Sequence, residues 1–436
     1  MCGFTGFITS NKEFSNYNLV EILKKMNNSL IHRGPNDGNE IVLNDHNLFM
    51  AFRRLSILDL SDYAMQPMIS TNKNFIMTFN GEIYNFKELN NKFLNNKYQN
   101  TSDTKVLIEL FSALGVYKTL DYIEGMFSIS LYDISNKILY LIRDKVGKKP
   151  LYYHKNNNIF IWGSELKSLN KNPLFEKKID NMNLSNFLRL GYIPGEQCIY
   201  QNSNKVEAGC LIEFKNNKIT KKKYSKIEPE FSSIKKYSDE ENINFFHQEL
   251  SNSVKKRLIS DVPIGSFLSG GIDSTLITSI MASHKSNIDT FTIGFDDLEF
   301  DESQKSKNVA NVLGTNHNEM IIQKKDYLDI IPSLSNVYDE PFSDSSQIPT
   351  MLVSKLAKSK VTVALSGDGG DELFCGYNRY ILLEKYFKYY LKFPALIRKN
   401  LLNLLLKILK YNKTLFNLSS DQHQKIENLS NINNTE

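Results

Sequence analysis

Residues 267–275 read FLSGGIDST, and this stretch decides the architecture of the second half of the chain. An apolar run, PIGSFLSG, leads into it with the look of a strand, and STLITSIMASH follows with helical apolar spacing. Ser269, Gly270 and Gly271 therefore fall where a strand hands over to a helix. Glycines let backbone N–H groups approach an anion closely, and a helix N-terminus adds about half a positive charge there. Ser269, Ser274 and Thr275 supply hydroxyl donors. Asp273 repels a phosphate unless a cation lies between them, so it points to Mg²⁺. No Lys follows the glycines, which excludes a Walker motif. A plain glycine turn capped by Ser and Asp is the alternative that this stretch alone leaves open.

The surrounding pattern favours the anion site. From NINFFHQELSNSVKKRLI to KVTVALSG, helical and strand-like segments alternate: STLITSIMASH, DTFTIGF, SQKSKNVANVLG, HNEMIIQ and IPTMLVSKLAKS. Such alternation predicts a doubly wound parallel sheet, whose ligands bind beyond the carboxyl ends of the strands. A second glycine loop, ALSGDGGDELFCGY at 364–377, stands at another strand end. It offers Ser366, Gly367, Gly369 and Gly370 to an anion. Asp368, Asp371 and Glu372 crowd together there, and unpaired carboxylates are costly. Metal ions or a cationic group relieve them. Two such loops point to a nucleoside triphosphate whose pyrophosphate leaves with Mg²⁺.

The first half reads differently. NFIMTFNGEIY, FSISLYD, KILYLIRD, PLYYHK and IFIWGSE are strand-like, with a few helices among them, and LVEILKKMNNSLIH and TKVLIELFSALG have helical periodicity. Hairpin spacing predicts antiparallel sheets with helices packed outside. Residues 216–240 are polar and lysine-rich and read as an edge strand followed by a linker. Near the end, Ile397, Leu401, Leu404, Leu405 and Ile408 share one face of an expected helix, which packs on the domain or lies on a membrane surface; NLSNINNTE has almost nothing to bury.

Composition narrows the class. The chain has 436 residues, more than one typical core, so two domains are expected. Its 41% hydrophobic and 23% charged content is that of a soluble globular protein. The four cysteines are unpatterned, which argues against a disulfide framework and fits a reducing cytoplasm. No apolar run reaches the ~18 residues of a membrane span, and no secretory signal opens the chain. A net charge of +5, with lysines scattered among asparagines, argues against nucleic acid as a partner.

The chain opens MCGFTGFI. With Met1 removed, Cys2 carries a thiol and a free α-amine together. The amine titrates near 7.7–8.0 and the thiol near 8.5, so the amine can take the thiol proton at little cost. No histidine is needed. An ordinary buried cysteine is the alternative.

LSGGIDS, LSGDGGDE and the N-terminal MCG together resemble the glutamine-hydrolysing asparagine synthetase family, over nearly the whole chain. The resemblance implies an N-terminal-nucleophile αββα fold at residues 2–212, a linker or edge segment at 213–240, and an ATP-pyrophosphatase-type synthetase domain at 241–436. It implies that Cys2 attacks the glutamine amide and releases ammonia. NGEIYN resembles the oxyanion segment, with Asn80 and Gly81 in that role and Glu82 holding substrate. RRLSILDL resembles the glutamine clamp, Arg54 to Leu55, Ser56, Ile57 and Leu58, in which Arg54 forks onto the substrate carboxylate. TSDT supplies Asp103 for the substrate amine, and Arg33 of HRGPND orders a loop. Taken singly, Arg54 reads as a surface charge and Asp103 as a helix cap.

For ATP, the resemblance implies Phe267, Ser269, Gly270, Gly271, Asp273, Ser274, Ile293, Ser366 and Gly367, with Asp273 and Asp371 holding Mg²⁺. Asp368 stands where the housekeeping enzymes carry a Glu that handles the ammonia proton. The implied partners are small molecules (glutamine, ATP and aspartate or another carboxylate), and a homodimer is left open. YDEPFSDSSQIPT occupies the acceptor region but has no Arg, unlike the housekeeping enzymes. It looks more like synthetase-like proteins of surface-polysaccharide clusters, which amidate other carboxylates such as a uronic-acid sugar. The family continues beyond this C-terminus with an RVPFLD-like segment and a catalytic lysine, so the synthetase domain is expected to be incomplete. A glutaminase with a non-catalytic synthetase remnant, or a non-enzymatic subunit, is the reading from another class.

Overall fold

The computed structural model describes residues 1–9, 18–99, 101–225, 238–296, 301–390 and 392. The 226–237 part of the expected linker and the expected amphipathic tail helix with its polar end lie outside the described residues. The chain divides into two compact units, Met1–Ser366 and Gly367–Glu436.

Strands are numbered β1 to β16 in chain order. The first antiparallel sheet runs β10 (Ser203–Lys205), β8 (Tyr152–Lys155), β9 (Ile159–Gly163), β1 (Gly3–Thr9), β3 (Leu48–Arg54), β2 (Asp37–Leu43). The second runs β12 (Lys218–Lys223), β11 (Cys210–Lys215), β7 (Ile138–Arg143), β6 (Gly125–Asp133), β5 (Phe75–Ile83), β4 (Met68–Ile69). Strand alternation sorts their side chains into three layers. Phe4, Phe52, Ile76, Leu141 and Trp162 pack together in one cluster, and Phe7, one pleat out of phase with Phe4, packs in another with Leu23 and Met26 of helix Leu19–Asn28. Met77, Phe79 and Ile129 meet Val106, Leu107 and Leu110 of helix Asp103–Leu114. The result is the expected αββα sandwich. The lysine-rich β12 is its edge strand, where exposed charge discourages further pairing.

Helix Asp239–Arg257 opens on a capping box, Ser238 with Glu241, and carries acids in its first turn and bases in its last. It leads to a parallel sheet ordered β15 (Asn316–Ile322), β14 (Asp289–Phe295), β13 (Ile264–Phe267), β16 (Val363–Leu365). Val254, Ile264, Ile280, Met281 and Ile288 form one cluster against the sheet, and Phe291, Ala357 and Val361 form another. This is the predicted doubly wound arrangement. Strand order reverses between β13 and β16, and the SGG loop leaves the first of those two strands. Among the described residues, no helix is long and apolar enough to cross a membrane.

Candidate active site

Cys2 lies directly before β1. Its sulfur accepts the Leu55 N–H at 3.4 Å and lies 3.5 Å from the Leu55 carbonyl, so the segment after β3 holds the thiol. The Cys2 carbonyl accepts the Arg33 Nε–H at 2.9 Å. Burial pushes the Cys2 thiol up, and the Leu55 hydrogen bond partly offsets this. The Met1 amine is lowered to about 5, chiefly by burial; the Cys2 charge opposes the shift, and Arg33, Lys149 and Lys358 reinforce it.

Asn80, Gly81 and Glu82 follow one another on β5. Asn80 is buried, and its Nδ2 has no hydrogen-bond partner among the described residues. A side chain at position 81 would collide with the Met126 carbonyl on β6, so this close approach requires glycine. Asp103 is the first residue of its helix, whose cap is Ser102, accepting the Lys105 N–H at 3.3 Å. The cap reading of Asp103 is thus corrected. Its carboxylate instead accepts the Ile83 N–H at 2.8 Å. Burial lifts Asp103 to about 6, while the Ile83 and Thr104 hydrogen bonds pull against it. Burial and then the Asp103 charge push Glu82 well above the carboxylate range. Two buried acids are therefore held with less than two full charges.

Arg54 is 4% exposed, and its fork is engaged differently from the expectation. One terminal nitrogen donates to the Ser61 carbonyl at 2.7 Å and the other to the Asp59 carbonyl. Arg54 thus organises the clamp loop, and the nitrogen on Ser61 also lies 4.0 Å from the Asp37 carboxylate. The same loop is tied to the residues before β13: Asp59 N–H donates to Asp261 at 2.8 Å, and Asp261 N–H to the Ile57 carbonyl at 3.0 Å. Ser56 N–H donates to Asn36 at 3.1 Å. Leu58 lines a cavity of about 740 Å³ with Phe86, Tyr98 and Asp261.

Sequence reasoning missed Lys149. It is buried; burial first, then Arg33 and Lys148, lower it to about 8, and its Nζ lies 3.1 Å from the Met1 sulfur. It acts electrostatically on Cys2, Glu82 and the terminal amine alike. The one local signal was a lysine placed directly before Pro150 at the start of a strand-like run.

The glycine loop after β13 is built locally. Gly270 has φ +75°, and Gly271 caps helix Ile272–His284. Ser269 and Ser274 share a hydrogen bond at 3.0 Å, and Ser269 also accepts the Gly271 N–H at 3.3 Å. Asp273 sits in the first turn of the helix. The Phe267 side chain is half-buried and packs against the cluster of Phe291, Ala357 and Val361. Ile293 is half-buried on β14, paired in register with Met320. This loop fits an anion, and Asp273 is the carboxylate it offers to an accompanying cation. Ser366 ends the first unit.

In the second unit, Gly367 N-terminal to helix Gly370–Phe374 accepts the Gly370 N–H at 3.2 Å, and Gly369 has φ +95°. Asp368 is exposed and Asp371 half-buried. Glu372 accepts the Tyr377 hydroxyl at 2.6 Å. Among the described residues no group of three His, Cys, Asp or Glu side chains is arranged to hold a metal ion.

The glutamine amidotransferase domain family matches residues 1–225, and the asparagine synthase family matches residues 246–435. The chain belongs to the glutamine-hydrolysing asparagine synthetase family. It is 36% identical over 399 residues to a putative asparagine synthetase [glutamine-hydrolyzing] 2 of Methanocaldococcus jannaschii, covering 86% of this chain and 76% of that one. It is 35% identical over 390 residues to asparagine synthetase [glutamine-hydrolyzing] 1 of Bacillus subtilis, covering 87% of this chain but 59% of that relative. A solved glutamine phosphoribosylpyrophosphate amidotransferase of B. subtilis aligns over 84% of this chain and 81% of its own, at 13% identity and a TM-score of 0.38.

Proposed function

We propose that the chain makes an amide from glutamine nitrogen and an ATP-activated carboxylate, with aspartate to asparagine as the first reading. The observation that carries it is the setting of Cys2: a thiol on a backbone N–H, facing Glu82 and Lys149, with an Asn80 Nδ2 that has no partner among the described residues on the same strand as Glu82. Removal of Met1 frees the Cys2 α-amine, with Arg33 held on the Cys2 carbonyl beside it. The amine takes the thiol proton, and sulfur attacks the glutamine amide carbon. Asn80 and the Gly81 N–H receive the developing oxyanion. The proton passes to the leaving nitrogen, ammonia departs, and water hydrolyses the thioester to glutamate and thiol. Asp103, ionised, pairs with the substrate ammonium, and Arg54 with its carboxylate through the donors not engaged by Ser61 and Asp59.

At the Ser269–Ser274 loop, backbone N–H groups hold the β- and γ-phosphates while the acceptor carboxylate attacks the α-phosphorus and pyrophosphate leaves. Mg²⁺ bound with ATP, on Asp273, supplies charge neutralisation for that departure. Ammonia then attacks the acyl carbon, displacing AMP and giving the amide. Free thiol chemistry of this kind suits a reducing cytoplasm.

The test is Cys2→Ala. Glutamine hydrolysis should fall by roughly three orders of magnitude or more, while ammonium still drives acceptor-dependent pyrophosphate release. Persistent glutaminase activity, or no rescue by ammonium in a folded variant, refutes the scheme.

A second reading has the same chemistry on another carboxylate, such as a uronic-acid sugar. It is favoured by the acceptor segment, which has no Arg between Tyr338 and Pro349 and whose Asp339 and Glu340 are engaged by Lys167 and Lys205. A screen of carboxylates for pyrophosphate release separates the two.

A further inference from the structure

The acceptor segment begins with two acids, and both face the amidotransferase sandwich. Glu340 accepts the Ile199 N–H at 3.0 Å and pairs with Lys205 at 3.2 Å. Asp339 pairs with Lys167 Nζ at 3.2 Å and accepts the Lys167 backbone N–H at 3.1 Å. Lys167 Nζ also donates to the Asn336 carbonyl at 2.9 Å and meets Glu165 at 3.0 Å. Glu165 takes the Arg33 NH1 at 2.6 Å, and Arg33 Nε holds the Cys2 carbonyl at 2.9 Å. One continuous chain of charge-assisted contacts thus runs from the peptide of the nucleophile to the acceptor segment.

The chain is largely dry. The side chains of Arg33, Glu165, Lys167 and Asp339 are 8%, 13%, 21% and 9% exposed. Buried ion pairs of this kind return little net stability, because desolvation offsets their attraction. What they fix is geometry: Arg33, Glu165, Lys167 and Asp339 each hold the next group in the series, and displacement of one leaves its neighbour short of a charge partner. His32 also meets Glu165, at 2.9 Å, but it is half exposed and ends the branch.

We propose that Lys167 and Asp339 are positioning residues for Cys2. The seating of the acceptor segment is transmitted through Glu165 and Arg33 to the Cys2 peptide, and so to the Leu55 N–H···sulfur contact. The inference rests on the proposed function for its purpose, because it gives the amide-forming half a hold on the ammonia-releasing half. Its geometry does not depend on which carboxylate is the acceptor. Loosening the chain lets the sulfur drift from the Leu55 N–H, which stabilises the thiolate. Glutamine itself is held by groups outside the chain, so its binding is spared.

The experiment uses the full chain with Lys167→Met, Asp339→Asn, the double variant, and the conservative Lys167→Arg and Asp339→Glu. Two quantities are read: glutaminase kcat and KM, and the rate of Cys2 alkylation by iodoacetamide, followed on the N-terminal peptide with exposed Cys375 as internal reference. Each non-conservative single variant should lower kcat and the Cys2 alkylation rate at least threefold. KM should change less than twofold, and the double variant should be no worse than the weaker single. The conservative variants should recover most of the loss, and Cys375 should react as in wild type. Unchanged alkylation in both singles, or losses that multiply in the double, overturns the proposal. If wild type does not hydrolyse glutamine, the functional reading fails, while the alkylation rates still decide this inference. Should Asp339→Asn not fold, Lys167→Arg against Lys167→Met carries the same comparison.

Discussion

The glutamine site and the glycine loop are assembled on different length scales. Cys2 is held by Leu55, 53 residues away, and Arg33 by Glu165, 132 residues away. Ser269 is held by Ser274 and Gly271, five and two residues away. The first site exists only once two sheets and their loops have packed. The second is the local consequence of a strand, two glycines and a helix start. A change in the loop should therefore stay local, whereas a change among the buried charges of the sandwich should spread to its neighbours.

The sharpest way to break that contrast, after loss of the nucleophile itself, is Gly270→Ala. The left-handed backbone there costs an L-residue roughly 1–2 kcal/mol, and a Cβ would sit 2.8 Å from the Ser306 nitrogen. Affinity for ATP with Mg²⁺, measured by calorimetry, should drop by about tenfold or more. Glutaminase kcat and KM should be unchanged. A parallel loss of glutaminase activity would mean that the two sites are not independently built.

The difference in scale also governs what could be read from the residues alone. Ser269 to Ser274 were legible because strand, turn and helix signals are contiguous, and the alternation around them fixed a parallel sheet. The antiparallel sandwich was legible from period-two patterning, confirmed in the opposite faces of Phe4 and Phe7. Cys2, Asn80, Gly81 and Asp103 were assembled only through the family resemblance, since nothing local joins them. Lys149 and Glu165 stayed invisible for the same reason. A buried ammonium and a buried carboxylate look like surface residues until the fold places their partners. Arg54 shows the converse: taken singly it reads as a surface charge, and only the resemblance gave it a clamp role, but folding buries it and directs its fork onto the carbonyls of its own loop.

A smaller effect tests the buried pair. Asp103 must be ionised to hold the glutamine ammonium, and burial raises it to about 6. Acidification therefore weakens glutamine binding well above the ordinary carboxylate range. KM should be flat above neutrality, about double near pH 6 and rise roughly tenfold by pH 5. Asp103→Asn should show a high KM without this acid limb. A KM that stays flat down to pH 5 would show that Asp103 remains ionised or does not face the ammonium. The sign for Glu165 is opposite. Burial alone raises it, but His32, Arg33 and Lys167 more than offset that and bring it to about 2. Its contribution to stability is complete above the ordinary carboxylate range and lost only as pH falls towards 2.

Lys149→Met should have the mildest effect of the series and the most specific signature. Its ammonium lowers the proton affinity of Glu82 and disfavours a charged terminal amine. Removing it leaves the Glu82–Asp103 pair more readily protonated, so the acid limb of glutamine KM moves to higher pH. It also removes a cation that faces the N-terminal end, so with Met1 removed the limb of kcat that reports the Cys2 amine should move upward as well. Near neutrality the combined change is roughly threefold, because Arg33 still faces the amine and methionine fills the same buried space. The diagnostic is that both limbs shift in the same direction, whereas loss of packing lowers activity uniformly across pH. A uniform decrease would assign Lys149 to the architecture of the sandwich and leave Arg33 as the charge that conditions the nucleophile.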